Sequence, residues 1–159
     1  MELRNKDYQI RRVQKEDMPK LIQLCEAHAK YENSIYDPAN KQERLSNFIL
    51  KEDSPVKCWV LDFLGDVCVY AVISPEFSTW DAAYYYHMDC LYLTPECRGL
   101  GIGSKMLSII KDFAHSAGIS QMQWQKPIEN QSAISFYLKN GSLSRSKVRF
   151  YLNTGKIEV

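Results

Sequence analysis

The chain predicts an α/β (α+β) fold, a mixed central β-sheet flanked by helices, in a single domain spanning residues 1–159. Three features predict it. Short apolar or alternating runs interleave with segments of helical period, so strands and helices are mixed along the chain. A long aromatic run, a glycine-rich turn, an amphipathic segment and another short apolar run follow one another, which makes a βαβ unit with parallel strands and a right-handed crossover. The length of 159 residues, 45% apolar and 25% charged, suits one soluble domain with a substantial core.

Taken in order, YQIRRV (8–13) reads as the first strand. Met18, Leu21, Ile22, Cys25 and Ala29 then recur at helical spacing behind Asp17 and Pro19, residues suited to a helix start. This helix ends near Tyr31-Glu32-Asn33, and SIYDPANK forms a loop. Leu45, Phe48 and Ile49 mark a shorter second helix. KCWVLDFL and VCVYAVIS flank Gly65-Asp66 as a hairpin, and PEFSTW follows as a loop. AYYYHMDCLYL (83–93) is a central strand stopped by Thr94-Pro95. Its run Tyr84-Tyr85-Tyr86 is read as sheet packing, with an acceptor channel as the alternative. A helix from about Gly103 to Ala117 carries Met106, Leu107, Ile110 and Phe113 on one face and stops at Gly118. SQMQWQ is a short strand, NQSAISFYLKNG a helix capped by Asn130 and closed by Asn140-Gly141, and VRFYLN a last strand.

Composition removes several function classes. With 20 Lys+Arg against 19 Asp+Glu the net charge is +1, which provides neither a nucleic-acid footprint nor a polybasic membrane patch. No apolar run approaches the roughly 20 residues needed to span a bilayer, and MELRNKDYQIRR lacks a signal-peptide core, so a cytoplasmic location is expected. The five cysteines are odd in number, contain no C-x-x-C and sit mostly in apolar patterns, as reduced core thiols do. His28, His87 and His115 have no metal-ligand spacing, so no metal is expected.

The densest signal is ECRGLGIGSKM (96–106), with Gly99, Gly101 and Gly103 in alternation between Arg98 and Lys105. A glycine-rich turn before a helix receives an anion on its free amides and at the positive helix end. A Walker loop requires a different glycine gap and a Lys-Ser/Thr order, whereas this lysine follows the serine. A dinucleotide fingerprint requires G-x-G-x-x-G and an acid on the next strand, and neither is present. Glycines serving a tight turn alone remain an alternative. The spacing R-x-x-G-x-G, formed by Arg98, Gly101 and Gly103 after an aromatic strand, resembles the diphosphate loop of the GNAT N-acetyltransferases. The order of elements is similar over nearly the whole chain. The resemblance implies acetyl-CoA as co-substrate, with Gly99, Leu100, Gly101, Ile102, Gly103 and Ser104 cradling its diphosphate beside Arg98.

Lys30-Tyr31-Glu32, Ser78-Thr79-Trp80 and the run Asn130 to Tyr137 resemble the spermidine/spermine (diamine) acetyltransferase branch. That branch implies that Asn130 contacts the pantetheine arm and Tyr137 serves the departing sulfur, with a core tyrosine as the alternative. Leu91, Tyr92 and Leu93 would pair with the arm as a pseudo-strand. The acidic pair of the branch falls on Asp89 and Cys90, so a single carboxylate remains as the expected base, acting through water, or else as a structural acid. Tyr31, Glu32, Trp80 and Asp89 are the expected acceptor-binding residues. Val148 replaces a tryptophan common in the branch. The resemblance implies a homodimer that acetylates a small-molecule amine. A protein lysine or N-terminal acetyltransferase and a non-catalytic acyl-CoA sensor are the rival readings.

Overall fold

A computed structural model of the chain describes residues 8–155. It divides into two compact units, Met1–Gln125 and Lys126–Val159. In the first, the elements run β1 (Tyr8–Arg12), α1 (Met18–Tyr31), α2 (Lys41–Ile49), β2 (Lys57–Phe63), β3 (Asp66–Ser78), β4 (Ala83–Leu93), α3 (Ile102–Ser116) and β5 (Met122–Gln123), with single 3-10 turns at Lys15–Asp17 and Pro95–Cys97. The sheet has five strands in the order β1-β2-β3-β4-β5. All neighbours are antiparallel except β4 and β5, which are parallel and joined through α3, as the βαβ pattern predicts.

Strand alternation sends β2 side chains to two different layers. Cys58 and Val60 join Met18, Leu21 and Leu24 of α1, Ile49 of α2, and Tyr70 and Tyr92 of the neighbouring strands. Trp59, between them, meets Phe113 of α3 edge to face at 5.0 Å, with the Arg12 guanidinium over its ring at 4.7 Å. Both faces of the strand are therefore covered, which explains its continuous apolar run. At the β1 end, Arg11 bridges Asp17 (2.7 Å) and Asp62 (2.9 Å), tying the entrance of α1 to β2.

Two bulges shape the sheet. Val69 pairs with Leu61 and Val67 with Asp62, leaving Cys68 extra on β3; Cys90 pairs with Val72 and Met88 with Ile73, leaving Asp89 extra on β4. β5 pairs with β4 only at Tyr86 and His87, so beyond His87 that edge of β4 has no strand beside it among the described residues.

Three expectations are corrected. The hairpin turns on Leu64-Gly65, both at positive φ, rather than on Gly65-Asp66, because Phe63 already pairs with Asp66. Pro75 to Ser78 extend β3 instead of forming a loop: they pair with Ala83 to Tyr86 of β4, and Phe77 packs on Tyr84 at 5.2 Å. VRFYLN forms no strand. Residues 142–155 contain no regular element, and Val148, Phe150, Tyr151 and Leu152 are exposed. A β-prone run without a ladder partner has nothing to hold it extended. In the second unit α4 (Gln131–Lys139) starts at Asn130 and ends at Asn140-Gly141, with Gly141 at φ +86°.

Candidate active site

The loop after β4 is a main-chain structure. Gly99 and Gly101 sit at φ +72° and +77°, a region that disfavours side-chain-bearing residues, and open space lies where a Cβ would stand at either one. The first helical bond of α3 runs from Lys105 N–H to Gly101 C=O at 3.1 Å. The N–H groups of Ile102, Gly103 and Ser104 thus precede the helical ladder, at the positive end of a 15-residue helix. Gly103 and Ile102 are buried beneath the turn.

The flanking cations turn elsewhere. Arg98 Nε donates to the Leu93 carbonyl at 3.0 Å, and its guanidinium lies over Tyr31 (4.6 Å) and Tyr92 (5.7 Å). Lys105 Nζ reaches the Tyr8 hydroxyl at 3.3 Å. The anion-binding capacity of the turn therefore lies in its amides, while Arg98 fixes the end of β4 to α1. Cys97, buried at the base of the turn, has its sulfur 2.9 Å from that of Cys68, the bulged residue of β3. Burial pushes the Cys68 thiol up, so it keeps its proton, and both cysteines are free thiols rather than a disulfide.

Asp89 is exposed at the β4 bulge. A bulge re-aims the side chain it carries, and here it frees the single acid of the strand from the alternation that buries Met88 and Leu91. Leu91 and Tyr92 are buried and Leu93 is half-buried, so what these three residues offer a ligand is their backbone along the strand-free edge.

Behind Asp89 lies a buried polar cluster. Cys90 Sγ donates to Asp89 Oδ2 at 3.5 Å. The Tyr70 hydroxyl lies 2.9 Å from His28 Nδ1, and His28 Nε2 lies 3.2 Å from Glu32 Oε1. The His28 ring stacks on Tyr92 at 5.1 Å. Burial drives the Tyr70 hydroxyl and the Cys90 thiol far upward, so both keep their protons. Residue spacing does not reveal this cluster, because its members lie on three separate elements and His28 shares no metal-ligand spacing with the other histidines. The available signal was a histidine on the same apolar stripe of α1 as Leu21 and Cys25.

The other expected site residues are distributed as follows. Tyr31 is half-exposed under Arg98, and Glu32 is turned onto His28. Trp80 is almost fully exposed in the β3–β4 turn, roughly 20 Å of strand beyond Asp89, so the two are not brought together. A cleft of about 400 Å³ opens at the end of α1 between Glu26, Lys30, Asn33, Ser34 and Tyr36. Burial raises the Tyr36 phenol to about 12. In the second unit Asn130 uses its Oδ1 to cap α4, accepting from Ala133 N–H at 3.2 Å, and Tyr137 is buried beside Phe136 at 5.0 Å.

These features set a turn of main-chain amides that precede a helical ladder after a strand that carries an exposed acid. The acetyltransferase (GNAT) family profile matches residues 15–141. The chain belongs to the GNAT family and is an acetyl-CoA-dependent N-acetyltransferase. Among curated proteins it is similar to a thialysine N-epsilon-acetyltransferase of Caenorhabditis elegans, 26% identical over 132 residues covering 83% of this chain and 81% of that one. It is also similar to the human spermidine/spermine N(1)-acetyltransferase-like protein 1, 25% identical over 87% of this chain but only 21% of that protein. Among solved structures, a possible acetyltransferase from Clostridium difficile 630 superposes with a TM-score of 0.80 at 18% identity, covering 95% of this chain and all of that one, a likeness of fold.

Proposed function

We propose that the protein transfers the acetyl group of acetyl-CoA to the primary amine of a small, diamine-like or amino-acid-like molecule. The observation that carries the reading is the sequence of a bulged, exposed carboxylate, Asp89, on β4 and the amides preceding the α3 ladder in the turn that follows that strand. Similarity to thialysine and spermidine/spermine acetyltransferases supports the acceptor class.

In this reading, amides from residues 99 to 104 hold the diphosphate, as helix N-termini hold anions. The pantetheine arm adds to the open edge of β4 at Leu91 to Leu93. An alkylamine is almost entirely ammonium at neutral pH, and Asp89 takes one of its protons, directly or through water. The free amine attacks the thioester carbonyl, the C–S bond breaks, and the second amine proton ends on the coenzyme A sulfur with Tyr137 as its hydrogen-bond donor. Each turnover thus converts an ammonium and a thioester into an amide, a thiol and one released proton. Tyr31 and Glu32 border the acceptor. Asn130 contacts the arm once its side chain leaves the cap.

The family match, residues 15–141, runs across both units, which supports reading them as one catalytic domain. Exposed apolar residues at 148–152 support a homodimer. Free cysteines throughout support a cytoplasmic setting. Thiol release from acetyl-CoA is measured across polyamines, diamines, amino acids and aminoglycosides. Turnover with at least one small amine is expected, and silence across the panel contradicts the reading.

A further inference from the structure

We propose that His28 is a positioning residue for the acceptor amine: through Nε2 it holds the Glu32 carboxylate at the end of α1, and that carboxylate receives a second cationic group on the acceptor. The inference rests on the acetyltransferase reading above. It deepens that reading by separating acceptors that carry two positive charges from those that carry one.

An acid at this place runs against the helix that carries it. Glu32 closes α1, at the negative end of the helix dipole, where a carboxylate is disfavoured. Its backbone is fixed: the N–H donates to the His28 carbonyl at 3.0 Å, and Asn33, left-handed at φ +54°, follows directly. His28 stands one turn earlier on the same helix face, with Nε2 3.2 Å from Glu32 Oε1. A carboxylate only accepts, so Nε2 carries the proton in this bond. Neutral His28 then accepts at Nδ1 from the Tyr70 hydroxyl, 2.9 Å away. The ring also stacks on Tyr92 at 5.1 Å, and the side chain is only 10% exposed. These contacts set the ring, and the ring sets the carboxylate. Packing alone does not call for them, because an apolar side chain would fill the same space with no polar groups to satisfy.

The place suits a cation. The Glu32 side chain is 24% exposed, so the carboxylate that His28 holds inward still meets solvent. It follows Tyr31, which together with Tyr92 lies under the Arg98 guanidinium at the carboxyl end of β4. Tyr92 and Asp89 stand three residues apart on β4, on the order of 10 Å of strand. An amine that gives its proton to Asp89 and a charge that rests on Glu32 therefore belong to different ends of one acceptor. A carboxylate already held in one orientation binds an ammonium with less ordering cost than a mobile one.

The test uses the whole protein at saturating acetyl-CoA and compares α,ω-diaminoalkanes with n-alkylamines of equal length. His28→Asn places its amide near the position of Nδ1, which keeps a partner for Tyr70 but falls short of Glu32. His28→Gln extends an N–H to the position of Nε2. The expected result for the best diamine is a KM raised roughly 10-fold in His28→Asn, with kcat and both monoamine constants within about a factor of two. His28→Gln returns the diamine KM to within about threefold of wild type. Glu32→Gln matches His28→Asn, and the double variant adds nothing further, because both residues act through one contact. Diamine and monoamine weakened alike, a Gln variant no better than Asn, or effects that multiply in the double variant overturn the inference and leave the acetyltransferase reading intact. Thermal unfolding reports whether each variant is folded. Should His28→Asn not fold, His28→Leu, which fills the space without a donor, takes its place with the same expectation. A wild type inactive on every amine fails the functional reading separately. Isothermal titration of the same amines into the coenzyme A complex then decides the inference: a diamine bound roughly 10-fold more weakly by His28→Asn supports it, and equal affinity overturns it.

Discussion

β4 carries two sites of opposite construction. At its carboxyl end the strand runs into a turn whose useful groups are main-chain amides, with Gly99 and Gly101 at positive φ and both flanking cations pointed away. A few residues earlier, at the Asp89 bulge, the useful groups are all side chains, from an exposed carboxylate back to a buried histidine. The first design depends on backbone conformation, so side chains matter to it chiefly where they would strain the turn or occupy the hollow. The second depends on particular side chains, a carboxylate bonded by Cys90 and a histidine held between Tyr70 and Glu32. Cofactor capture and chemistry can therefore be broken separately.

The largest effect is expected at the side-chain site. Asp89→Asn lowers kcat/KM by roughly 10³-fold, because an amide takes no proton from an ammonium. Initial rates should rise in the variant as pH is raised and free amine accumulates, and coenzyme A affinity should stay near wild type by calorimetry. Next comes the ion pair at the start of α1, which serves neither site. The Arg11 guanidinium holds the Asp17 carboxyl below its usual range, mainly through their hydrogen bond. Arg11→Met strands a buried carboxylate and costs about 3 kcal/mol in urea unfolding, with acetyl transfer preserved below the midpoint. The sign of its pH dependence follows from the lowered carboxyl. The wild-type contribution is fully present above the ordinary aspartate range near pH 4 and is lost as pH falls below it, so the difference between wild type and variant narrows in acid.

The main-chain site is broken by backbone conformation. Gly101→Val weakens coenzyme A binding by roughly 30-fold, through the strain of a β-branched residue at φ +77° and a side chain projecting into the open hollow. Asp89-dependent pH behaviour should survive in that variant at saturating cofactor. The smallest effect belongs to the second unit. Asn130→Ala removes the α4 cap and costs about 1 kcal/mol of stability by thermal unfolding. A fall in kcat beyond that explained by unfolding would show that Asn130 also touches the arm.

The same contrast explains what was legible in the sequence. The glycine turn was readable because few residue types tolerate positive φ before a helix, and R-x-x-G-x-G carries that requirement in plain letters. The order of elements as far as α4, and the parallel pairing across α3, followed from apolar period and from proline and glycine terminators. Pro75 to Ser78 were misread because polar residues opposite an aromatic strand look like a loop until Glu76 and Phe77 meet Tyr85 and Tyr84. VRFYLN was misread because alternation records a capacity for pairing and cannot supply the neighbouring strand. The bulge that frees Asp89 depends on register between β3 and β4, a tertiary property with no local letter pattern. The cluster around His28 draws Tyr70 from β3 and Tyr92 from β4 onto α1, so spacing within any one segment is blind to it.

The central claim is that main-chain amides of residues 99 to 104 grip the cofactor's diphosphate, and truncated cofactors test it most directly. Isothermal titration of the wild-type protein with coenzyme A and with pantetheine, which lacks the nucleotide diphosphate, separates the turn from the arm. The account predicts coenzyme A bound at least about 100-fold more tightly than pantetheine, with most of that advantage lost in Gly101→Val. Equal affinities for the two ligands, or an advantage for coenzyme A that Gly101→Val leaves untouched, would contradict it.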